Sequence, residues 1–395
     1  MPNKLSACTS ILIGKKASID GSIMIGRNED AKAAWPKHMV VHPHGAVPRK
    51  FVSKETKLEI ELPDDSARYS ATPEWTDKYG LFEEDGINEY NVAMSATESA
   101  YSNSLVLGAD PLVKNGLNEE AMVTVVLPFV KTAREGVLRL GNLIAKYGTG
   151  ETNGVLFADD NEAWYFESGA GHYWVAQRIP DDCYAVVANQ LAIQEIDFND
   201  PNNFMFHPGI REFVEKNHLN PDPTTFNFRK IFGTADQSDA IYSEPRVWIG
   251  HQMFSSHQAK GETPESTELP FLMKPDRLLS VIDAQNYLSN HYEGTGFDPL
   301  TNSPSAHKYR PISLAKTQES HILQTGRKGP DIHWLAMGVA NESTYVPFFN
   351  GITKLPAAYG RGKLPAQLNS AYWIFKHASV LVDSHLHDFL PLLRD

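Results

Sequence analysis

Short apolar runs separated by acidic or glycine turns fill the first third of the chain, and their period is that of strands. Residues 8–14 (Cys-Thr-Ser-Ile-Leu-Ile-Gly) and 22–27 form two such runs, and Asp20-Gly21 between them predicts a hairpin. Further strands are expected at 37–42 and 57–62, followed by a hairpin of 79–82 with 91–97 that turns at Asp85-Gly86. From Asn118 the apolar spacing becomes helical. Asn118-Glu119-Glu120 opens a helix that runs to Leu127 before Pro128, and a second helix from Ala133 to Tyr147 is stopped by Gly148. Strand patterns return at 153–158, 162–167, 172–178 and 184–189, with acidic turns at Asp159-Asp160 and Asp181-Asp182, which predicts a meander. Residues 191–275 are rich in Asn, Asp, Pro and Thr, carry a helix near 208–217, and read as an insertion or a lid over a site. A helix over 275–290, a hairpin of 320–324 with 333–340 across Lys328-Gly329-Pro330, and a helical C-terminal segment within 360–395 complete the pattern. Sheets accompanied by helix pairs at two places predict an α+β sandwich of two sheets, each covered by helices on its outer face.

Composition narrows the classes. At 395 residues and 42% hydrophobic content, one large domain with embellishments can bury a substantial core. No window resembles a membrane span of ~20 apolar residues, and Met1 to Ala7 lacks an apolar signal core. Two cysteines give no disulfide framework, so a cytoplasmic location is expected. A net charge of −12 has the wrong sign for non-specific nucleic-acid binding. His42 with His44 and His385 with His387 lack a carboxylate that would complete a metal set; they read as surface histidines, and neither a metal nor a cofactor is expected.

The chemistry centres on Cys8. A cysteine freed at its α-amino group carries its own base, with a reference pKa of about 8 against about 8.5 for the thiol. Small residues Ser6 and Ala7 directly precede it, and the strand it opens would hold it rigidly. A buried core thiol is the alternative for an isolated cysteine, and it is the simplest reading of Cys183. A dyad of Cys8 with His172, His251 or His321 is disfavoured, because such cysteines usually begin a helix rather than a strand. The hairpin at Asp20-Gly21 would return Arg27 and Asp30 towards the start of the first strand. There a guanidinium would favour the thiolate, and a carboxylate would hold the ammonium or the guanidinium. An ordinary exposed turn of charged residues fits the same spacing.

Together Cys8 opening a strand, Arg27-x-x-Asp30, Gly86-Ile87-Asn88-Glu89, Val186-Val187-Ala188-Asn189-Gln190 and Pro245-Arg246-Val247-Trp248 form a set. It resembles the bacterial cysteine dipeptidases of the N-terminal-nucleophile hydrolase superfamily, relatives of the secernins and, more distantly, of penicillin V acylase and bile salt hydrolase. Ser320-His321-Ile322-Leu323-Gln324 and Tyr345-Val346-Pro347-Phe348 extend the resemblance to about Tyr359. It implies a four-layer αββα sandwich with antiparallel sheets over 8–395, and self-cleavage between Ala7 and Cys8 that removes residues 1–7 as a propeptide. It also implies a thioester formed by mature Cys8 on a small peptide substrate. Arg27 matches the arginine against the nucleophile, Asp30 the aspartate contacting its α-amine, Asn189 the asparagine that supports the oxyanion, and Arg246 a more distant active-site arginine. Glu98 stands where the acylases place an oxyanion-hole residue. A carboxylate cannot serve there, so Glu98 is expected to grip the ammonium of an unblocked dipeptide, with a backbone amide near Thr97 or Glu98 assisting Asn189. An amidase on acylated small molecules, a secernin-like non-peptidase and a non-catalytic interaction protein remain open, as does a homo-oligomer. The chain ends soon after Leu393, earlier than the resemblance leads one to expect; a truncated gene and a compact variant both fit.

Overall fold

A computed structural model describes residues 8–98 and 100–394; residues 1–7, with Ala7 of the expected cleavage site, lie outside the described residues. In chain order the strands are β1 (Thr9–Ile13), β2 (Ile23–Asp30), β3 (Val40–His42), β4 (Lys50–Val52), β5 (Glu59–Glu61), β6 (Tyr69–Ala71), β7 (Asp85–Ile87) and β8 (Ala93–Glu98). After helices α1 (Ser104–Ala109), α2 (Glu119–Val126) and α3 (Ala133–Tyr147) follow β9 (Asn153–Ala158), β10 (Ala163–Ser168), β11 (Trp174–Ile179), β12 (Tyr184–Val187) and β13 (Phe204–Phe206). Next come α4 (Ile210–Lys216), α5 (Phe228–Phe232), α6 (Gln237–Tyr242), α7 (Glu244–Phe254) and α8 (Val281–Leu288). The chain continues with β14 (Thr317–Thr325), β15 (Ile332–Met337), β16 (Val346–Phe349), α9 (Ala371–Asp383) and α10 (Leu386–Arg394).

Two six-stranded antiparallel sheets face each other, one in the order β12-β1-β2-β14-β15-β16 and the other β13-β11-β10-β9-β8-β7. Helices α2 and α3 cover the outside of the second sheet, and α7, α8 and α9 that of the first. The fold is therefore an αββα sandwich. Strand alternation explains both faces being apolar. Leu12, Ile23, Ile25 and Leu323 point between the sheets, whereas Ile11, Ile13, Met24 and Ile322 point outward onto Val247, Ile249 and Tyr287. The same alternation sends Arg27 inward with Ile23 and Ile25.

Helices α2 and α3 lie where the sequence places them, α3 with Thr132 as N-cap and Gly148 as C-cap. Several expectations are corrected. Asp85-Gly86 is strand rather than turn: β7 pairs Asp85 with Ser95, residues 79–82 form no strand, and the chain turns near Asn91, whose φ is 62°. A Cβ on Gly86 would lie 2.0 Å from the Ser70 carbonyl oxygen, so the glycine serves a close backbone approach. The expected four-strand meander loses its last member, since β12 crosses to the other sheet and pairs with β1. Within 191–275, β13 extends the second sheet by pairing with β11, and Ile193, Ile210, Phe213 and Phe228 join the core between the sheets. Helix α8 begins only at Val281, where Ser280 and Asp283 form a capping box.

Candidate active site

Cys8 precedes β1, which lies between β12 and β2 in the first sheet, so its backbone is anchored from both sides. The register sets Ser10 opposite Arg27 and Arg27 opposite His321 of β14, putting Cys8, Arg27 and His321 on the face that meets the second sheet. Arg27 is fully buried and held along three edges. Its Nη1 donates to Cys8 Sγ at 3.2 Å, its Nε to Ser95 Oγ at 2.9 Å, and its Nη2 to Glu84 at 2.8 Å from Oε2 and 3.1 Å from the carbonyl. Glu84 also accepts from Lys37 at 3.1 Å. Burial works against the Glu84 charge, but Lys37 and then Arg27 outweigh it and hold the carboxyl below its ordinary range.

A second arginine reaches the nucleophile from the helical layer. Arg246 of α7 donates from Nη1 to the Cys8 carbonyl at 2.9 Å and to Thr9 Oγ1 at 2.8 Å, and from Nη2 to Asn189 Oδ1 at 2.6 Å. A guanidinium can only donate, so the Asn189 atom facing it must be oxygen. The amide nitrogen of Asn189 is thereby turned away; it is buried and has no hydrogen-bond partner among the described residues. Asp30 emerges on the face opposite Arg27, where it accepts from Arg310 and from Thr317 Oγ1. Its carboxylate is thus engaged by neighbours that sequence reasoning had not named.

The sulfur opens onto a cavity of about 340 Å³ lined by Cys8, Asp30, Lys32, Thr97 and seven glutamates, among them Glu55, Glu98, Glu119 and Glu151. Backbone amides chain three of these together: Glu98 N donates to Glu119 Oε2 at 2.9 Å, and Glu119 N to Glu151 Oε2 at 2.8 Å. The Glu98 amide is therefore already committed and does not supply the backbone donor expected beside Asn189. Burial, then Glu55, pushes the Glu98 carboxyl above its ordinary pKa. Glu119 is pushed well up by burial, then by Glu84 and Cys8, and Glu151 by burial, then by Glu98. A cavity crowded with carboxylates that would rather be neutral stabilises an entering cation.

Burial likewise raises the Cys8 thiol; Arg27 opposes this, Asp30 adds to it, and Thr97 beside the sulfur weakly favours the thiolate. Net, the thiol lies above its ordinary range. His321 does not face it: Nε2 points at Ser95 Oγ and Nδ1 at Glu319. Cys183 sits in the core, its thiol raised to about 11 chiefly by burial. The structure thus brings Cys8, Arg27, Asp30, Thr97, Glu98, Asn189 and Arg246 to one place. It adds Glu84, Ser95, Glu119, Glu151 and Arg310, which carry no local motif and meet the site only through long-range pairing, and it sets His321, weighed in sequence as a Cys8 partner, behind Arg27 instead. Among the described residues no group of three or more His, Cys, Asp or Glu is arranged to hold a metal, and no helix is long and apolar enough to cross a membrane.

An αββα sandwich whose first core strand begins at a buried, arginine-clamped cysteine is the class of arrangement that the sequence resemblance implies. Sequence comparison narrows this class: the model of "Peptidase family C69" matches residues 7–395, and the chain belongs to that peptidase family. It is 49% identical over 396 residues to a probable dipeptidase of Latilactobacillus sakei, covering 98% of this chain and 83% of that protein. To dipeptidase A of Lactobacillus helveticus it is 38% identical over 397 residues, covering 97% and 83%. Among solved structures, a conjugated bile acid hydrolase of Clostridium perfringens is 12% identical, with 84% of this chain and 89% of that one covered at a TM-score of 0.42. That likeness is too distant to bear on fold or function.

Proposed function

We propose that this chain is a dipeptidase whose nucleophile is Cys8, exposed as the N-terminal residue by autocatalytic cleavage after Ala7. The observation that carries the reading is the pairing of the Arg27 Nη1 contact at 3.2 Å from Cys8 Sγ with the buried, unpartnered Asn189 amide beside Arg246. The Cys8 α-amine takes the thiol proton as sulfur adds to the peptide carbonyl carbon, and Asn189 Nδ2 donates to the oxyanion that forms. Collapse breaks the C–N bond, and the leaving amine takes the proton back from the ammonium. Water then attacks the thioester with the same amine as base, the C–S bond breaks to release the carboxylic acid, and the Cys8 sulfur takes the proton back from the ammonium. Arg246 holds the Cys8 carbonyl and Asn189 in register. Asp30 supports this end of the site through Arg310 and Thr317.

Substrate choice follows from the cavity charge. Glu98, on a wall it shares with Thr97, Glu119 and Glu151, receives the ammonium of an unblocked dipeptide; an N-blocked amide forfeits that contact. The names of the relatives agree with this class of substrate, and two free thiols suit a reducing, cytoplasmic compartment. Mass spectrometry of the purified protein and a dipeptide panel test the reading together. Wild type should begin at Cys8 and turn over free dipeptides, while Cys8→Ala should retain residues 1–7 and lose hydrolysis. Hydrolysis that survives in Cys8→Ala would overturn the assignment.

A further inference from the structure

Behind Arg27 lies a buried chain of side chains that the mechanism above does not use. Ser95 of β8 stands between the two sheets, its Oγ 2.9 Å from Arg27 Nε and 2.9 Å from His321 Nε2. Arg27 can only donate to that oxygen. The single hydroxyl hydrogen is then free for His321 Nε2, which in the arrangement that satisfies every donor is the bare nitrogen of a neutral ring. The ring hydrogen sits on Nδ1, facing Glu319 at 2.9 and 3.1 Å, with Asp85 Oδ2 at 3.4 Å. Asp85 in turn lies 2.9 Å from His333 Nε2. Ser95, His321, Glu319, Asp85 and His333 are all buried. Every donor between Arg27 and Glu319 has an acceptor in this arrangement, and reversing the His321 ring hydrogen would leave the Ser95 hydroxyl without one among these groups.

We propose that Ser95 and His321 are positioning residues, forming a one-way hydrogen-bond chain that aims Arg27 Nη1 at the Cys8 sulfur. This rests on the reading of Cys8 as nucleophile. A planar guanidinium fixed along its Nε and Nη2 edges has no freedom left at Nη1; fixed by Glu84 alone it can swing about that pair. The titratable and charged groups around His321 are Arg27 from β2, Glu84 and Asp85 from the β7 side, Glu319 on its own strand, the His333 ring from β15, and Lys37. A second cation on the ring would compete with Arg27 for Ser95.

The test is the pH dependence of Cys8 alkylation by iodoacetamide, read by mass on the Cys8 peptide, alongside dipeptide kinetics. In Ser95→Ala the alkylation midpoint should rise by roughly one pH unit, part of the 1 to 3 units an aligned opposite charge supplies. With it kcat should fall about tenfold at unchanged KM, and Ser95→Thr, which keeps the hydroxyl, should restore both. His321→Leu carries the same test should Ser95→Ala fold poorly. Midpoints equal to wild type in a folded variant overturn the proposal. Alkylation does not require turnover, so that result differs from failure of the nucleophile reading, which shows as hydrolysis surviving in Cys8→Ala.

Discussion

Asn189 offers a substitution that separates its two atoms. Asn189→Asp keeps an oxygen for Arg246 Nη2, now 2.6 Å away, and replaces only the buried, unpartnered amide nitrogen. If that nitrogen meets the oxyanion, its loss should cost the ~10²–10³ in kcat typical of one oxyanion-hole donor, about 3 to 4 kcal/mol. KM should hardly move, because the donor acts on charge that develops during reaction. Stability should not fall, since the aspartate gains a charge-assisted bond to Arg246. Asn189→Ala differs in that respect. It removes the nitrogen and also strands a buried guanidinium edge, so a similar loss in kcat should come with about 1.5 to 3 kcal/mol of destabilisation. The assay is steady-state turnover of a free dipeptide paired with urea unfolding of the same preparations. An Asn189→Asp enzyme within a few-fold of wild-type kcat would remove Asn189 from the oxyanion role, and an equal stability loss in both variants would remove the inference that Arg246 needs its oxygen.

Glu98→Gln should weaken kcat/KM for free dipeptides by about tenfold to a hundredfold, the worth of a charged hydrogen bond, while sparing N-blocked amides; equal losses on both would refute the ammonium contact. Burial and Glu55 raise the Glu98 pKa, so the ionised form that grips an ammonium appears only as pH rises through that elevated value. Wild-type kcat/KM should therefore climb with pH on the acid side, and Glu98→Gln should flatten that climb. Glu84→Ala leaves Arg27 and Lys37 buried without their shared carboxylate and should cost about 3 to 5 kcal/mol in urea unfolding. Because the folded Glu84 pKa is depressed, its contribution is present above the unfolded value of about 4.3 and is lost as pH falls through the folded one. Gly86→Ala sets a methyl 2.0 Å from the Ser70 carbonyl and should lower the melting temperature clearly, whereas Gly45→Ala, with no atom within 4 Å of its Cβ and φ of 74°, should cost only backbone strain.

Local signals carried most of the fold. The Asp20-Gly21 turn joins β1 and β2 in the expected register, and the Asn118 and Gly148 boundaries bracket α2 and α3 as read, because caps and turns are decided by neighbours in sequence. Partner choice was not local. β12 has the same apolar alternation whether it continues a meander or crosses to β1, and nothing within it distinguishes the two. Gly86 read as a turn because a glycine demanded by the Ser70 backbone looks the same in sequence as one demanded by positive φ. The site divides in the same way. Cys8, Arg27, Asp30, Asn189 and Arg246 stood out by position and resemblance, whereas Ser95 gave no signal and His321 entered only as a disfavoured dyad partner and within the segment 320–324; their contact arises from two sheets meeting face to face.

The Arg27 clamp straddles those sheets: the arginine belongs to one, while Ser95 and the Glu84 that precedes β7 belong to the other. Chemical readiness thereby becomes a report on tertiary structure. In a chain whose two layers have not yet met, Arg27 lacks the Ser95 and Glu84 partners that orient it towards Cys8.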